Sequence, residues 1–266
     1  MPLFLPLLKC CLFPEDRQSH SVCVNRGLIH GLACLRSRRG PAAWEVEDLL
    51  LTPGHEGCCL GLLERTGPAI DNLGAERIFL RLDSGSPAVD VAKSAGFSQH
   101  LTEHLYRMEE QRTEPPSHLI SLRLGSSEDE YRLFRLYSSA VPLQVRTVEG
   151  MTFQEWEESL DRGQVREWVY EDGGEIKAWL RIRLSGTVGQ FEIVSGLGAA
   201  ELGRLVDCAR SLLSGRDPVY CLVAEYQQQL RGILQERGFR QEAEYSCLNK
   251  QLVARVREPQ FVPLQA

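Results

Sequence analysis

Twice in this chain a helical pattern stops on a Gly-Phe pair, in VAKSAGFSQH (residues 91–100) and in LQERGFRQEA (234–243). A glycine there supplies the left-handed backbone that closes a helix, and the aromatic residue after it fills a core as the chain enters a strand. Gly96 and Gly238 stand 142 residues apart, about the size of one domain. The flanks align on these pairs without a gap, RIFLRLDSGSPAVDVAKSAGFSQHLTEHLYRM (77–108) falling on VYCLVAEYQQQLRGILQERGFRQEAEYSCLNK (219–250). Each copy predicts strand, polar turn, helix, Gly-Phe and alternating strand, so the chain is constrained to build the same unit twice.

Upstream the copies continue to match. SVCVNRGLIHGLACLRSR (21–38) and EWVYEDGGEIKAWLRIRL (167–184) each predict a β-hairpin, turning at Asn25-Arg26-Gly27 and Asp172-Gly173-Gly174. Third strands follow at 43–51 and 189–196, and then a helix in each copy. Gly67-Pro68 must break or kink the first helix. Leu202, Leu205, Val206, Ala209, Leu212 and Leu213 give the second one apolar face. Only the second copy has a full start: a strand at 118–124 and two capping boxes, Ser127 with Glu130 and Thr152 with Glu155, opening helices at 126–137 and 152–160. The polar, proline-containing EEQRTEPPSH (109–118) separates the copies. The expected organisation is a shortened N-terminal domain over 1–112, a linker at 113–117 and a complete C-terminal domain over 118–266. Each domain is expected to be a mixed, mainly antiparallel sheet flanked by helices, an α/β (α+β) class.

A formal charge of −6 provides no field for attracting nucleic acid or an anionic membrane. The one basic run, Arg36-Ser37-Arg38-Arg39, precedes Gly40-Pro41 and reads as a solvated turn. Nine cysteines without C-x-x-C spacing fit reduced thiols in a cytoplasmic protein better than a disulfide frame. The apolar start, MPLFLPLLKCCLF, is too short to span a bilayer and lacks a basic leader, which favours packed structure.

The order of elements, ending in strand, helix, Gly-Phe and strand, resembles the GNAT superfamily of acyl-CoA-dependent N-acyltransferases, here in tandem. The resemblance implies an N-acyltransferase taking acetyl-CoA as co-substrate, with a small-molecule or peptide amine as acceptor. It also implies a pyrophosphate loop of the form [QR]-x-x-G-x-[GA], whose backbone N–H groups and following helix cradle the coenzyme phosphates. In the first copy the matching segment is Gly54 to Cys59, which keeps Gly57 but has Gly54 in the Gln/Arg place and Cys59 in the last. In the second it is Ser195 to Ala200, which keeps Gly198 and Ala200 around Ala199 and has Ser195 in the Gln/Arg place. With Val194 before it, the second is the better cradle, since Glu56 adds a negative charge to the first.

Amine acylation needs a base for the ammonium proton and is helped by an acid for the leaving thiolate. The family's acid is a tyrosine four residues before the Gly-Phe glycine, where this chain has Ala92 and Leu234. Carboxylates on the relevant strands are Glu45, Glu47 and Asp48 in the first copy and Glu192 in the second; Glu192, opposite in direction to Phe191 and Ile193, is the leading candidate base. A non-catalytic module of the same fold, binding a ligand or partner, stays open beside the enzyme reading, as does a homodimer or an intramolecular pseudo-dimer. His100 and His104, if in a strand, share a face with Thr102 and Tyr106, and no nearby cysteine or carboxylate completes a metal set. Cys10-Cys11 and Cys58-Cys59 read as small buried residues.

Overall fold

The computed structural model describes residues 18–109, 120–161 and 165–252. The expected linker at 113–117, the N-terminal apolar run and Cys10-Cys11 lie outside the described residues. The first copy gives β1 (Gln18–Asn25), β2 (Leu28–Ser37), β3 (Ala43–Leu51), α1 (Cys58–Glu64), α2 (Thr66–Ile70), β4 (Arg77–Asp83), α3 (Ala88–Ser94) and β5 (Ser98–Met108). The second gives β6 (Leu122–Leu124), α4 (Glu130–Ala140), α5 (Leu143–Glu149), α6 (Phe153–Ser159), β7 (Val165–Asp172), β8 (Glu175–Ser185), β9 (Val188–Ser195), α7 (Ala199–Leu212), β10 (Val219–Ala224), α8 (Gln228–Glu236) and β11 (Phe239–Gln251).

Most of these elements follow from the local chemistry that foretold them. Both hairpins turn through residues with positive φ, Arg26 and Gly27 in one and Gly173 and Gly174 in the other. The helix over Gly67-Pro68 is broken at Arg65 into α1 and α2. Thr152 and Glu155 form their capping box. The other box moves by one residue: Ser126 and Asp129 cap each other, not Ser127 and Glu130. Asp129 wins because its carboxylate also takes a two-pronged contact from Arg123, at 2.6 and 2.7 Å, and one from Arg132 at 3.2 Å. On α7 the apolar face holds except at Leu212, which is 41 % exposed while Leu213 is buried.

The two copies do not build separate sheets. All eleven strands form one sheet in the order β1-β2-β3-β4-β11-β5-β10-β9-β8-β7-β6. The last strand of each copy is exchanged into the other: β11 pairs antiparallel with β4 from Tyr245–Asp83 to Gln251–Arg77, and on its other side with β5 from Phe239–Met108 to Asn249–Ser98. Strand β5 in turn pairs with β10. Cys247 and Leu248, adjacent on β11, point to opposite faces and join different cores. On one face α1–α3 pack over β2–β4 and β11, while α7 and α8 pack over β5 and β8–β10. On the other face α4–α6 pack around Trp156, Val169, Trp179 and Leu101. None of the helices described is long and apolar enough to cross a membrane.

Both Gly-Phe pairs act as the sequence implies. Gly96 and Gly238 have φ of 90° and 82°, and Phe97 and Phe239 are 2 % and 1 % exposed in the cores beneath α1–α3 and α7–α8. A Cβ at Gly238 meets nothing within 4 Å, so alanine there is penalised through the backbone alone. Gly238→Ala is expected to lower stability by about 1–2 kcal/mol, and Phe239→Ala by about 3–5 kcal/mol. Urea unfolding of both variants checks this, and an unchanged midpoint for Phe239→Ala would contradict the packing.

Candidate active site

Within each copy the parallel pair next to the centre is joined only at its start. Strand β3 pairs with β4 over Ala43–Glu45, and β9 with β10 over Gly189–Phe191. Beyond those residues the two strands of each pair continue without pairing to one another, so each copy holds a V between them. In the second copy the neck of the V is bridged by Gln227, whose side chain accepts from Ala224 N–H at 3.1 Å and donates to the Ile193 carbonyl at 2.7 Å. Past that bridge β9 keeps backbone groups that no strand takes up on that side.

The V of the second copy opens onto a cavity of about 500 Å³ between the sheet and α4–α6, lined from both copies. A chain of ion pairs runs along its wall. Glu45 holds Arg36 at 2.5 Å and Arg38 at 3.1 Å; Arg36 and Arg183 share Asp161, at 3.3 and 3.1 Å; Arg183 and Arg181 share Glu192, Arg181 at 3.2 Å. The copies are thus tied by Asp161, which follows α6, as well as by strand pairing.

At the mouth of the V stands a second, differently charged group. Glu149, the last residue of α5, accepts from the Tyr137 hydroxyl at 3.2 Å and faces His100 Nε2 at 3.9 Å. Tyr226, just past β10, lines the same space. Burial pushes both tyrosine hydroxyls up, and Glu149 pushes each further, with Glu103 adding to the effect at Tyr226. Both phenols therefore hold their protons at neutral pH.

His100 reaches this cluster because of a bulge. Cys247 pairs with Leu101 and Leu248 with Gln99, so His100 is the extra residue on β5. The expectation that His100 and His104 share a face is corrected accordingly: His100 lines the cavity, whereas His104 lies 3.5 Å from Glu244 on the face of Tyr106.

Of the residues singled out from sequence, Glu192 and Val194 line the cavity. Burial raises the Glu192 carboxyl, but Arg183, Arg181 and Arg81 outweigh it and hold the group below its ordinary value, which weakens it as a proton acceptor. Phe191 and Ile193 face the core beneath α7 and α8, as alternation requires. Glu45 and Glu47 also line the cavity; Asp48 does not.

The two loops differ in kind. Ser195 Oγ accepts from Leu197 N–H at 2.9 Å and shapes the turn into α7, where Gly198 is the N-cap with no side-chain cap and Ala199 and Ala200 are exposed. The N–H groups that open this fourteen-residue helix take no side-chain cap, and Glu201 stands in its first turn. Gly57 is the N-cap of the short α1, and Cys59 is buried in that helix's first turn. In the loop before it the Glu56 carboxylate accepts from its own N–H and from Gly54 N–H, the latter at 2.9 Å, which holds it below its ordinary value. The N–H groups of Gly54, His55, Cys58 and Cys59 are taken up within that loop and its helix start.

No protein-family model matches this chain, and no curated protein does. Solved structures do. The GCN5-related N-acetyltransferase of Sphaerobacter thermophilus superposes with a TM-score of 0.59 over 93% of this chain and 85% of its own, at 15% identity. The chain has the GNAT fold. A tandem GNAT protein from the clavulanic acid biosynthesis pathway superposes with a TM-score of 0.55 over 92% of this chain and 86% of its own, at 13% identity. The N-myristoyltransferase of Saccharomyces cerevisiae, solved with bound myristoyl-CoA, gives 0.54 over 84% and 64%, at 10% identity.

Sequence reasoning missed Glu149 and Tyr226. Leu143, Val145 and Thr147 alternate as a strand would, which hid the helix that ends on Glu149. Tyr226 had a usable signal, its place just past the end of a strand next to a V. Glu192→Gln is expected to cost about 1–3 kcal/mol at neutral pH, because Arg181 and Arg183 lose the carboxylate they share while Arg183 keeps Asp161. Because the folded carboxyl is depressed, its stabilisation is complete above the unfolded value of about 4.3 and is lost as pH falls through the folded one. Urea midpoints of the two proteins should converge below that value; a gap that persists in strong acid would contradict the ion-pair account.

Proposed function

We propose that the protein is an acyl-CoA-dependent N-acyltransferase, with acetyl-CoA the first candidate donor and the second copy as the working site. The observation that carries this is the unpaired V between β9 and β10, opening onto a cavity at Glu149 and Tyr226. The loop from Ser195 to Ala200 and the start of α7 would hold the phosphates, and the free edge of β9 past Ile193 would pair with the pantetheine amides. Glu149, backed by His100, would take the ammonium proton. The amine then forms the C–N bond as the C–S bond breaks, and Tyr226 gives its proton to the leaving thiolate. A tyrosine in this place would supply what Ala92 and Leu234 cannot, since both are buried apolar residues.

A second reading, a binding module of the same fold without catalysis, is favoured by the Gln227 bridge at the neck of the V. Calorimetry separates the two. Acetyl-CoA is expected to bind at one site per chain; no heat with acetyl-CoA or longer acyl-CoAs at millimolar concentration would end the enzyme reading. Gly198 has a φ of −73°, open to any residue, so Gly198→Leu should fold normally. It should nevertheless weaken acetyl-CoA by at least about tenfold by crowding the phosphates. Tyr226→Phe should slow turnover by about 10²-fold with coenzyme affinity unchanged, and full activity in that variant would remove Tyr226 from the mechanism.

A further inference from the structure

The cavity holds a cation that the ion-pair chain does not absorb. Arg81 comes from β4, on the opposite side of the strand from Ile78, Leu80 and Leu82, which pack under α1–α3. Arg81 lines the cavity, and 49 % of its side-chain surface is accessible. Its Nη2 meets Glu103 Oε2 at 2.7 Å, an oxygen that also accepts from the Cys247 thiol at 3.1 Å. A guanidinium carries several further donors in a fixed fork, which is the geometry that recognises an oxyanion. Along the same wall, Trp179 Nε1 and Arg181 Nη2 have no hydrogen-bond partner among the described residues. Buried donors left in that state are costly, and a ligand oxyanion would relieve them.

The wall charges decide which oxyanion fits. Five arginines, with Arg38 and Arg81 among them, face six carboxylates, with Glu47 and Glu149 among them. A phosphate dianion would deepen that negative excess, and a plain amine would bring the Arg81 fork no anionic partner. A ligand bearing one ammonium and one carboxylate leaves the balance unchanged and finds a partner for each end. The two ends lie close in the fold, because the Arg81 guanidinium reaches Glu103, which pairs with Ala224 two residues before Tyr226.

We propose that the acceptor is an amino-carboxylate, its carboxylate held by Arg81 and its amine placed at the V beside Glu149 and Tyr226. The proposal deepens the transfer reading and rests on it for the fate of the amine. It is tested by calorimetry on the full chain with 6-aminohexanoate, L-lysine, hexylamine and cadaverine. The two carboxylated amines should bind at least about tenfold tighter than the two plain ones. Arg81→Gln should erase that preference and Arg81→Lys restore part of it, with circular dichroism confirming that both variants fold. Equal binding of all four, no binding of any at millimolar concentration, or a preference that survives Arg81→Gln would each overturn the proposal. Titrations with acetyl-CoA and succinyl-CoA locate the carboxylate. If Arg81→Gln weakens only succinyl-CoA and the amines show no preference, Arg81 serves the acyl donor and the proposal falls. If the preference holds while acetyl-CoA does not bind, the carboxylate site stands and the transfer reading falls.

Discussion

The antiparallel pairing of β5 with β11 is the interaction on which the rest of the molecule depends. These two strands are the last of their copies, and each lies inside the other copy's half of the sheet. Without that exchange β4 and β10 would present long unpaired edges, which folded proteins avoid. With it, the copies share backbone hydrogen bonds, and the cores beneath α1–α3 and α7–α8 lie on one continuous face. Cys247, Leu101, Glu103 and Arg81 are brought together on the other face, at the centre of the cavity, because β4, β11 and β5 run side by side.

Much of the fold was legible because its determinants are local. Positive φ at Gly96 and Gly238, the tight turns at Gly27 and Gly173-Gly174, and the Thr152 box each depend on a few adjacent residues. What was not legible depends on partners distant in sequence. The exchange of β11 is set by pairing between residues more than a hundred positions apart, which no periodicity records. The bulge at His100 exists only against β11, and so the histidine's face was read wrongly from alternation alone. Asp129 displaces Glu130 as the capping acid because Arg123 and Arg132 reach it.

For the candidate site the division is similar. Glu192 and Val194 were found because alternation on β9 is a local rule, and they line the cavity. The groups around Glu192 were not foreseeable: Arg181 and Arg183 come from β8, and Arg183 is linked through Asp161 to Arg36 in the first copy. Such a chain fixes the wall on which a ligand would rest, and it leaves Glu149, set among aromatic and imidazole groups, in a different electrostatic setting.

The loop before α1 has an implication of its own. Its Gly54 N–H already donates to the Glu56 carboxylate, a group fixed two residues away on the same chain. Tethering gives such an anion an effective concentration in the millimolar range or above, wherever the protein is diluted. A free phosphate approaching that loop would have to compete with this carboxylate for the Gly54 N–H, a competitor carried by the chain itself.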